Sequence, residues 1–218
     1  IKSDEALFQV LTKYITASEK IRFEGDNYSD DWKEEAKKRG LTNITSVPES
    51  LEKYFTPQAE KVLIKNGIFK ERELEGRVEV EYEKFTKKIQ IEARVLGDLV
   101  INHVVPTAVQ YQNKLIENVK GLKEIFSEKE FLEQAGERRE LIKEISSRVT
   151  IIKTKVSEMI EARKVANKIK DEKEKAYDYE RTVRPFLDQI RYHVDKLEMI
   201  VDDEMWALPK YRELLFTR

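Results

Sequence analysis

The middle of the chain carries one long apolar stripe at helical spacing and has almost no turn residues. Apolar and aromatic residues recur every three or four positions at Leu74, Val78, Tyr82, Phe85, Ile89, Ala93, Leu96, Val100, Val104, Ala108, Tyr111, Leu115, Val119 and Leu122. The thirteen steps cover 48 residues. This is close to an eleven-residue repeat, so the stripe predicts a nearly straight helix of about 50 residues. Pro106 removes one backbone hydrogen bond and crowds the carbonyl of Asn102, so we expect a kink there rather than an end.

Two further stripes follow heptad spacing and predict a second and a third long helix. Ser127 and Glu130 form a Ser-x-x-Glu capping box at the start of the second helix. Its stripe comprises Ile142, Ile145, Val149, Ile152, Val156 and Met159. The apolar pattern is lost around Lys175 to Arg184, and the third helix is predicted to have Pro185 in its first turn. Its stripe comprises Val183, Leu187, Ile190, Val194, Leu197 and Val201.

The first 69 residues contain most of the turn signals and predict short elements. Ser3 and two acidic residues precede a periodic segment, which predicts a helix over about 4–19. An extended segment leading into a loop is expected at 21–28, and Ser29 is expected to cap a short helix that ends at Gly40. Pro48 and Pro57 mark further helix starts, and the Asn66-Gly67 turn closes the region.

These elements predict an all-α fold with three parts. Residues 1–69 form a small, turn-rich helical base, residues 70–205 a long antiparallel three-helix hairpin or bundle, and residues 206–218 an apolar tail. The heptad stripes are also compatible with an intermolecular coiled coil. Three rods of similar length joined in one chain favour the intramolecular bundle.

The C-terminal tail is rich in large apolar side chains, whereas chain ends are usually polar. Its candidate interface residues are Trp206, Leu208, Pro209, Tyr211, Leu214, Leu215 and Phe216. The sequence leaves two roles open for the tail. It is either a lid on its own bundle or a contact with a neighbouring subunit.

Composition and charge narrow the classes of function. The chain has 218 residues and no Cys, which excludes a disulfide framework, thiolate zinc sites and a cysteine nucleophile. The 41 basic and 42 acidic side chains nearly balance, so neither a nucleic-acid nor a membrane partner is predicted. No apolar run reaches the roughly 20 residues of a membrane span, and no signal segment opens the chain. The predicted location is the cytoplasm. The start at Ile1 suggests a piece of a longer chain.

No catalytic motif is recognised in the sequence. There is no Gly-rich phosphate loop, His-Glu-x-x-His or Gly-x-Ser-x-Gly, and the inward Glu-x-x-His pairs of a carboxylate metal protein are absent. His103 and His193 are interpreted as structural residues, and His103 is expected to be partly buried and bonded to a carbonyl freed by Pro106. The acidic clusters at 71–75 and 202–204 are interpreted as solvated surface. No catalytic, cofactor-binding or metal-binding residue is therefore predicted.

Two segments carry a resemblance to a known family. IRFEGDNYSDDW at 21–32 and WALPKYRELLF at 206–216 resemble the region that follows the catalytic core in the type III glutamine synthetases. The likeness continues through Pro48-Glu49-Ser50-Leu51, Asn66-Gly67-Ile68-Phe69, Ile91-Glu92-Ala93 and Val105-Pro106-Thr107-Ala108. Ala207 departs from the family, in which proline usually follows this tryptophan.

The resemblance implies an ATP-dependent ligase that joins ammonia to glutamate, with ATP and Mg²⁺ used by the intact enzyme. It implies that the catalytic residues lie in a preceding core, so this chain alone is predicted to be inactive. Its partners would be that core and the neighbouring subunits of homo-oligomeric rings. The alternative is a free-standing helical scaffold or adaptor.

Overall fold

Helices account for the regular secondary structure of this chain. The computed structural model describes residues 2–216, and side chains within that range except those at positions 2, 211 and 212. No β-strand occurs between residues 2 and 216, so the predicted all-α class is confirmed. The α-helices are α1 (Lys2–Ala17), α2 (Asp30–Lys38), α3 (Val47–Leu51), α4 (Pro57–Leu63), α5 (Glu71–Leu99), α6 (Val105–Ile125), α7 (Glu128–Ala166), α8 (Glu172–Asp178), α9 (Arg184–Glu198) and α10 (Tyr211–Leu215).

The chain divides into two compact units, Ile1–Ser50 and Leu51–Arg218. The first contains α1, a 3₁₀ turn at Glu19–Ile21 and α2, and α3 begins in it. The second contains the three long helical segments. The sequence-based divisions after residues 69 and 205 stay predictions.

The first unit is built around the loop between α1 and α2. Ser29 caps α2 as predicted, since its side chain accepts a hydrogen bond from the Trp32 backbone N–H at 3.3 Å. The ring of Phe23 lies against that of Trp32, with centroids 4.6 Å apart. Gly40 ends the region with a φ of 71°, a backbone conformation that glycine adopts without steric cost.

Arg39 connects the end of α2 to the end of the 3₁₀ turn. One terminal nitrogen, Nη1, donates to the backbone carbonyls of Glu19 at 3.3 Å and Arg22 at 2.5 Å. Its Nε donates to Glu35 Oε1 at 2.7 Å. These three bonds hold the 19–22 segment beside α2.

The long stripe of the second unit is buried as predicted. Its members from Leu74 to Ala108 are buried, apart from the half-buried Leu96, and those from Tyr111 to Leu122 are half-buried. The buried stripe of α7 includes Ile145, Ile152, Val156 and Met159, and these residues join the same core. The Glu130 carboxylate of the predicted capping box accepts from the Ser127 backbone N–H at 3.1 Å.

The chain stays helical through Pro106, but it does so by way of a π-helical turn. Residues Val100–Val104 form this turn, and the Val105 N–H donates to the carbonyl of Val100, five residues earlier. Pro106 then lies in the first turn of α6. A π-turn places the carbonyls ahead of the proline differently from an α-turn, which accommodates the ring that would crowd the Asn102 carbonyl.

The third long helix begins earlier than the sequence pattern indicated. Residues 172–198 are helical throughout, with α8 joined to α9 by a second π-helical turn at Tyr179–Val183. The predicted loss of apolar content near 175–184 is wrong, because Ala176, Tyr179 and Val183 are fully buried. Pro185 follows this π-turn at the same offset as Pro106 follows the first one. Ala176 and Tyr179 extend the predicted stripe of the third helix by one heptad before Val183.

The long helices pack against one another within the second unit. α6 contacts α7, α7 contacts α9, and α5 contacts both α8 and α9. Gln112 Nε2 of α6 donates to the Ile142 carbonyl of α7 at 2.8 Å. These are contacts that a three-helix hairpin makes, and the antiparallel bundle itself stays a prediction.

Candidate interaction surfaces

The predicted C-terminal interface divides into a buried half and an exposed half. Trp206 is only 9% exposed and belongs to the core of the second unit, with Met205 and Leu208 packed against it. Leu214 and Leu215 are exposed, and Phe216 is 81% exposed. Pro209, which lies between the buried and the exposed half, is exposed. The side chain of Tyr211 lies outside the described residues. The lid role therefore describes the first half of the tail only.

Lys210 fixes the point at which the tail leaves the bundle. Its Nζ donates to the backbone carbonyl of Glu198 at 3.1 Å and also pairs with Asp203. Its backbone N–H donates to Glu213 Oε2 at 3.2 Å. The start of α10 is thus held to the end of α9, whereas Leu214, Leu215 and Phe216 present apolar surface to solvent.

Helix α1 of the first unit presents an uncovered apolar face. Its large apolar side chains, each at least half exposed, are Leu7, Phe8, Val10, Leu11, Tyr14 and Ile15. On a helix these positions share one face, opposite Glu5, Gln9, Thr12 and Thr16. Contiguous apolar surface of this kind marks a site of protein contact rather than a free surface.

Ion pairs and amide contacts hold helices of the second unit together. Lys173 Nζ lies 2.8 Å from Glu52 Oε1, and hydrogen bonds from Lys173 and then Tyr177 lower the pKa of the Glu52 carboxyl. The same bond to Glu52 raises the pKa of Lys173. Asn167 Oδ1 accepts from the Tyr179 hydroxyl at 2.7 Å and from Gln90 Nε2 at 3.2 Å. These contacts position helices and bring no catalytic set together.

The two histidines lie in different environments. His103 is exposed, so the expected partial burial is wrong, because Val100 and Val104 occupy the buried positions of the π-turn. His193 is half-buried, and its Nδ1 lies 3.3 Å from Arg148 Nη1. A guanidinium can only donate, so Nδ1 accepts. Burial and then the charge of Arg148 lower the pKa of His193.

The acidic clusters do not fit a divalent metal ion. Among residues 2–216, as far as their side chains are described, no three His, Asp or Glu come together as ligands. Glu73 instead pairs with Arg77 at 3.2 Å, and Asp202 lies 4.0 Å from Lys114. No helix in this part is long and apolar enough to cross a membrane.

The fold and its surfaces define a class of protein, an all-α domain whose described helices expose large apolar side chains. The family model described as "Glutamine synthetase C-terminal domain" matches residues 6–123, more than half of the chain. The chain belongs to this family. Membership decides against the free-standing scaffold that the sequence left open.

Three curated relatives align with nearly the whole chain. A glutamine synthetase of Bacteroides fragilis is 61% identical over 218 residues, which is all of this chain and 30% of the relative. A type-3 glutamine synthetase of Dictyostelium discoideum is 32% identical over 91% of this chain and 27% of its own length. A glutamine synthetase of Butyrivibrio fibrisolvens is 27% identical over 98% of this chain and 30% of its own. The chain thus spans less than a third of each of these relatives.

The sequence analysis singled out the tail as a candidate interface and did not single out two other exposed apolar surfaces. For α1 the sequence does contain a signal, because six large apolar residues lie on one face of a single short helix. On α5, Ile91 and Val95 form a second apolar row, four residues apart and outside the buried stripe. Periodicity alone does not say which apolar row faces the core.

Proposed function

We propose that this chain is the C-terminal assembly region of a glutamine synthetase, an ATP-dependent ligase that joins ammonia to glutamate. The reaction groups, including those for ATP and Mg²⁺, belong to the remaining part of the intact polypeptide. Family membership and the length of the relatives support this division, because the chain corresponds to 30% of the Bacteroides fragilis enzyme. Under this proposal the chain alone is inactive, and the intact enzyme is cytoplasmic.

The exposed apolar face of α1 is the observation that carries the proposal. Burying six large side chains would contribute several kcal/mol, at roughly 25 cal/mol for each Å² of apolar surface. The remaining part of the intact polypeptide covers this face, which makes residues 1–69 a base that completes the edge of the catalytic domain.

The exposed end of the tail has a second role in the proposal. Leu214, Leu215 and Phe216 lie beyond the Lys210 anchor and remain uncovered by the bundle. They contact a neighbouring subunit of a homo-oligomeric ring, while Trp206 and Leu208 seal the bundle of the same chain.

A matched pair of substitutions on α1 tests the proposal in the intact polypeptide. Leu11→Asp places a charge in the apolar face, whereas Thr12→Asp places the same charge on the polar face. Leu11→Asp should abolish most ligase activity and lower the assembled mass, because burying an unpaired carboxylate is costly. Thr12→Asp should retain both properties.

Activity and light-scattering mass are measured on both variants, and circular dichroism of the 218-residue chain carrying each substitution reports folding. Equal activity and equal mass for the two variants would contradict the proposal. If Leu11→Asp unfolds the isolated chain, Leu11→Gln is used instead. It should likewise have lower activity and lower assembled mass than Thr12→Asp.

A further inference from the structure

A second uncovered apolar surface lies on the outer side of α5, where it meets α7. Ile91 is 61% exposed and Val95 is 51% exposed, and Ile101 and Ile160 are each more than one-third exposed. They line an open groove of about 740 Å³, which Gly97 also borders. We call this surface the α5 stripe. All of its residues belong to the second unit.

The charges on the α5 stripe are left without ionic partners in the chain itself. Arg94 and Asp98 are both exposed and lie four residues apart on α5. They do not pair with each other, and no ion pair of either is found among the described residues. Asp98 Oδ1 accepts only from Asn102 Nδ2, at 2.6 Å. An arginine placed N-terminal to an aspartate on a helix is the weaker order for such a pair, so both charges remain available to a partner.

The order of residues on the stripe is self-complementary. If two α5 helices lie antiparallel with a two-fold axis level with Leu96, residues whose numbers are equally distant from 96 face each other. Arg94 then faces Asp98 of the second copy, and Ile91 faces Ile101 of the second copy. Isologous dimers require a patch that complements itself in this way.

We propose that the α5 stripe is an interaction surface whose partner is a second copy of this chain. The two copies pair through antiparallel α5 helices, with an apolar centre and two equivalent Arg94–Asp98 ion pairs. Val95 lies one residue from the axis and faces Gly97 of the second copy, so the two Val95 side chains are offset by only about 3 Å along the helices. This inference deepens the proposed assembly role and rests on it.

Charge exchange in the 218-residue chain tests the pairing. Arg94→Asp and Asp98→Arg each create two like-charge contacts across the axis and should weaken self-association about tenfold or more, measured by sedimentation equilibrium. An equimolar mixture of the two variants places opposite charges at both contacts and should restore association as a heterodimer. The double variant should restore a homodimer. Arg191→Asp is the matched control, since Arg191 is 75% exposed on α9, away from the stripe.

Several results would overturn the inference. One is a wild-type chain that stays monomeric up to about 1 mM, the limit of weak binding. Others are single exchanges with no effect beyond Arg191→Asp, or a mixture that fails to restore association. If one of these results is obtained while Leu11→Asp still lowers activity and assembled mass, the α1 proposal stands. Another part of the intact polypeptide then covers the α5 stripe. Loss of the α1 effects alone would contradict the proposed function instead.

Discussion

Single polar side chains hold segments of this molecule in place at points that the apolar periodicity of the helices does not predict. Arg39 joins three acceptors from two elements, and Lys210 holds the start of α10 to the end of α9. The sequence shows such residues only as members of a charged surface. Their acceptors are backbone carbonyls or distant carboxylates, and residue spacing along the chain does not reveal them.

His193 makes stability depend on pH in a defined direction. Burial and Arg148 lower its pKa in the folded chain below the ordinary value of 6.5. Below that pH the unfolded chain binds more protons, so the stabilisation is present above about pH 6.5 and is lost as the pH falls through the folded pKa. His193→Asn should therefore reduce the fall of Tm between about pH 7.5 and 5, measured by circular dichroism.

His103→Asn provides the matched control, because His103 is exposed and makes no comparable contact with an arginine. This variant should keep the pH profile of the wild-type chain. The account of His193 fails if the two variants show the same profile.

At the scale of elements, the buried stripes were predictable and the π-turns were not. The stripes of α5, α6 and α7 follow from regular spacing, which a buried face imposes on any long helix. The buried residues Ala176, Tyr179 and Val183 keep the spacing of three and four, and that spacing does not distinguish a π-turn from an α-helical turn. Each π-turn ends two residues before a proline, and that proline is the signal available in the sequence.

The tail offers a test at this scale, because its two halves differ in burial. Trp206→Ala should lower the free energy of unfolding of the chain by about 3–5 kcal/mol, as expected for truncating a buried aromatic residue. Phe216→Ala should change it by less than about 0.5 kcal/mol, since Phe216 is exposed. Urea denaturation measures both.

In the intact enzyme, oligomer mass is expected to depend on the exposed Phe216, which has little effect on the stability of the chain. Phe216→Ala should lower the oligomer mass in light scattering, because Phe216 belongs to the proposed subunit contact. An unchanged mass would leave the tail as a lid alone.

At the scale of the whole molecule, the all-α class and the family follow from the sequence, whereas most of the interaction surface does not. The motifs at 21–32 and 206–216 are long and specific enough to indicate the family by themselves. The composition of the tail predicts a contact segment. The exposed faces of α1 and α5 become visible only in the folded chain, since an apolar helix face looks the same in sequence whether its own chain or another covers it.

Hydrogen exchange at α1 tests the central claim most directly. The backbone amides of Val10, Leu11 and Tyr14 are compared in the 218-residue chain and in the intact polypeptide. The account predicts rapid exchange in the chain alone and strong protection in the intact polypeptide, because docking of the apolar face suppresses local opening of the helix. Equal exchange in the two molecules would contradict the claim that α1 docks this chain onto the rest of the enzyme.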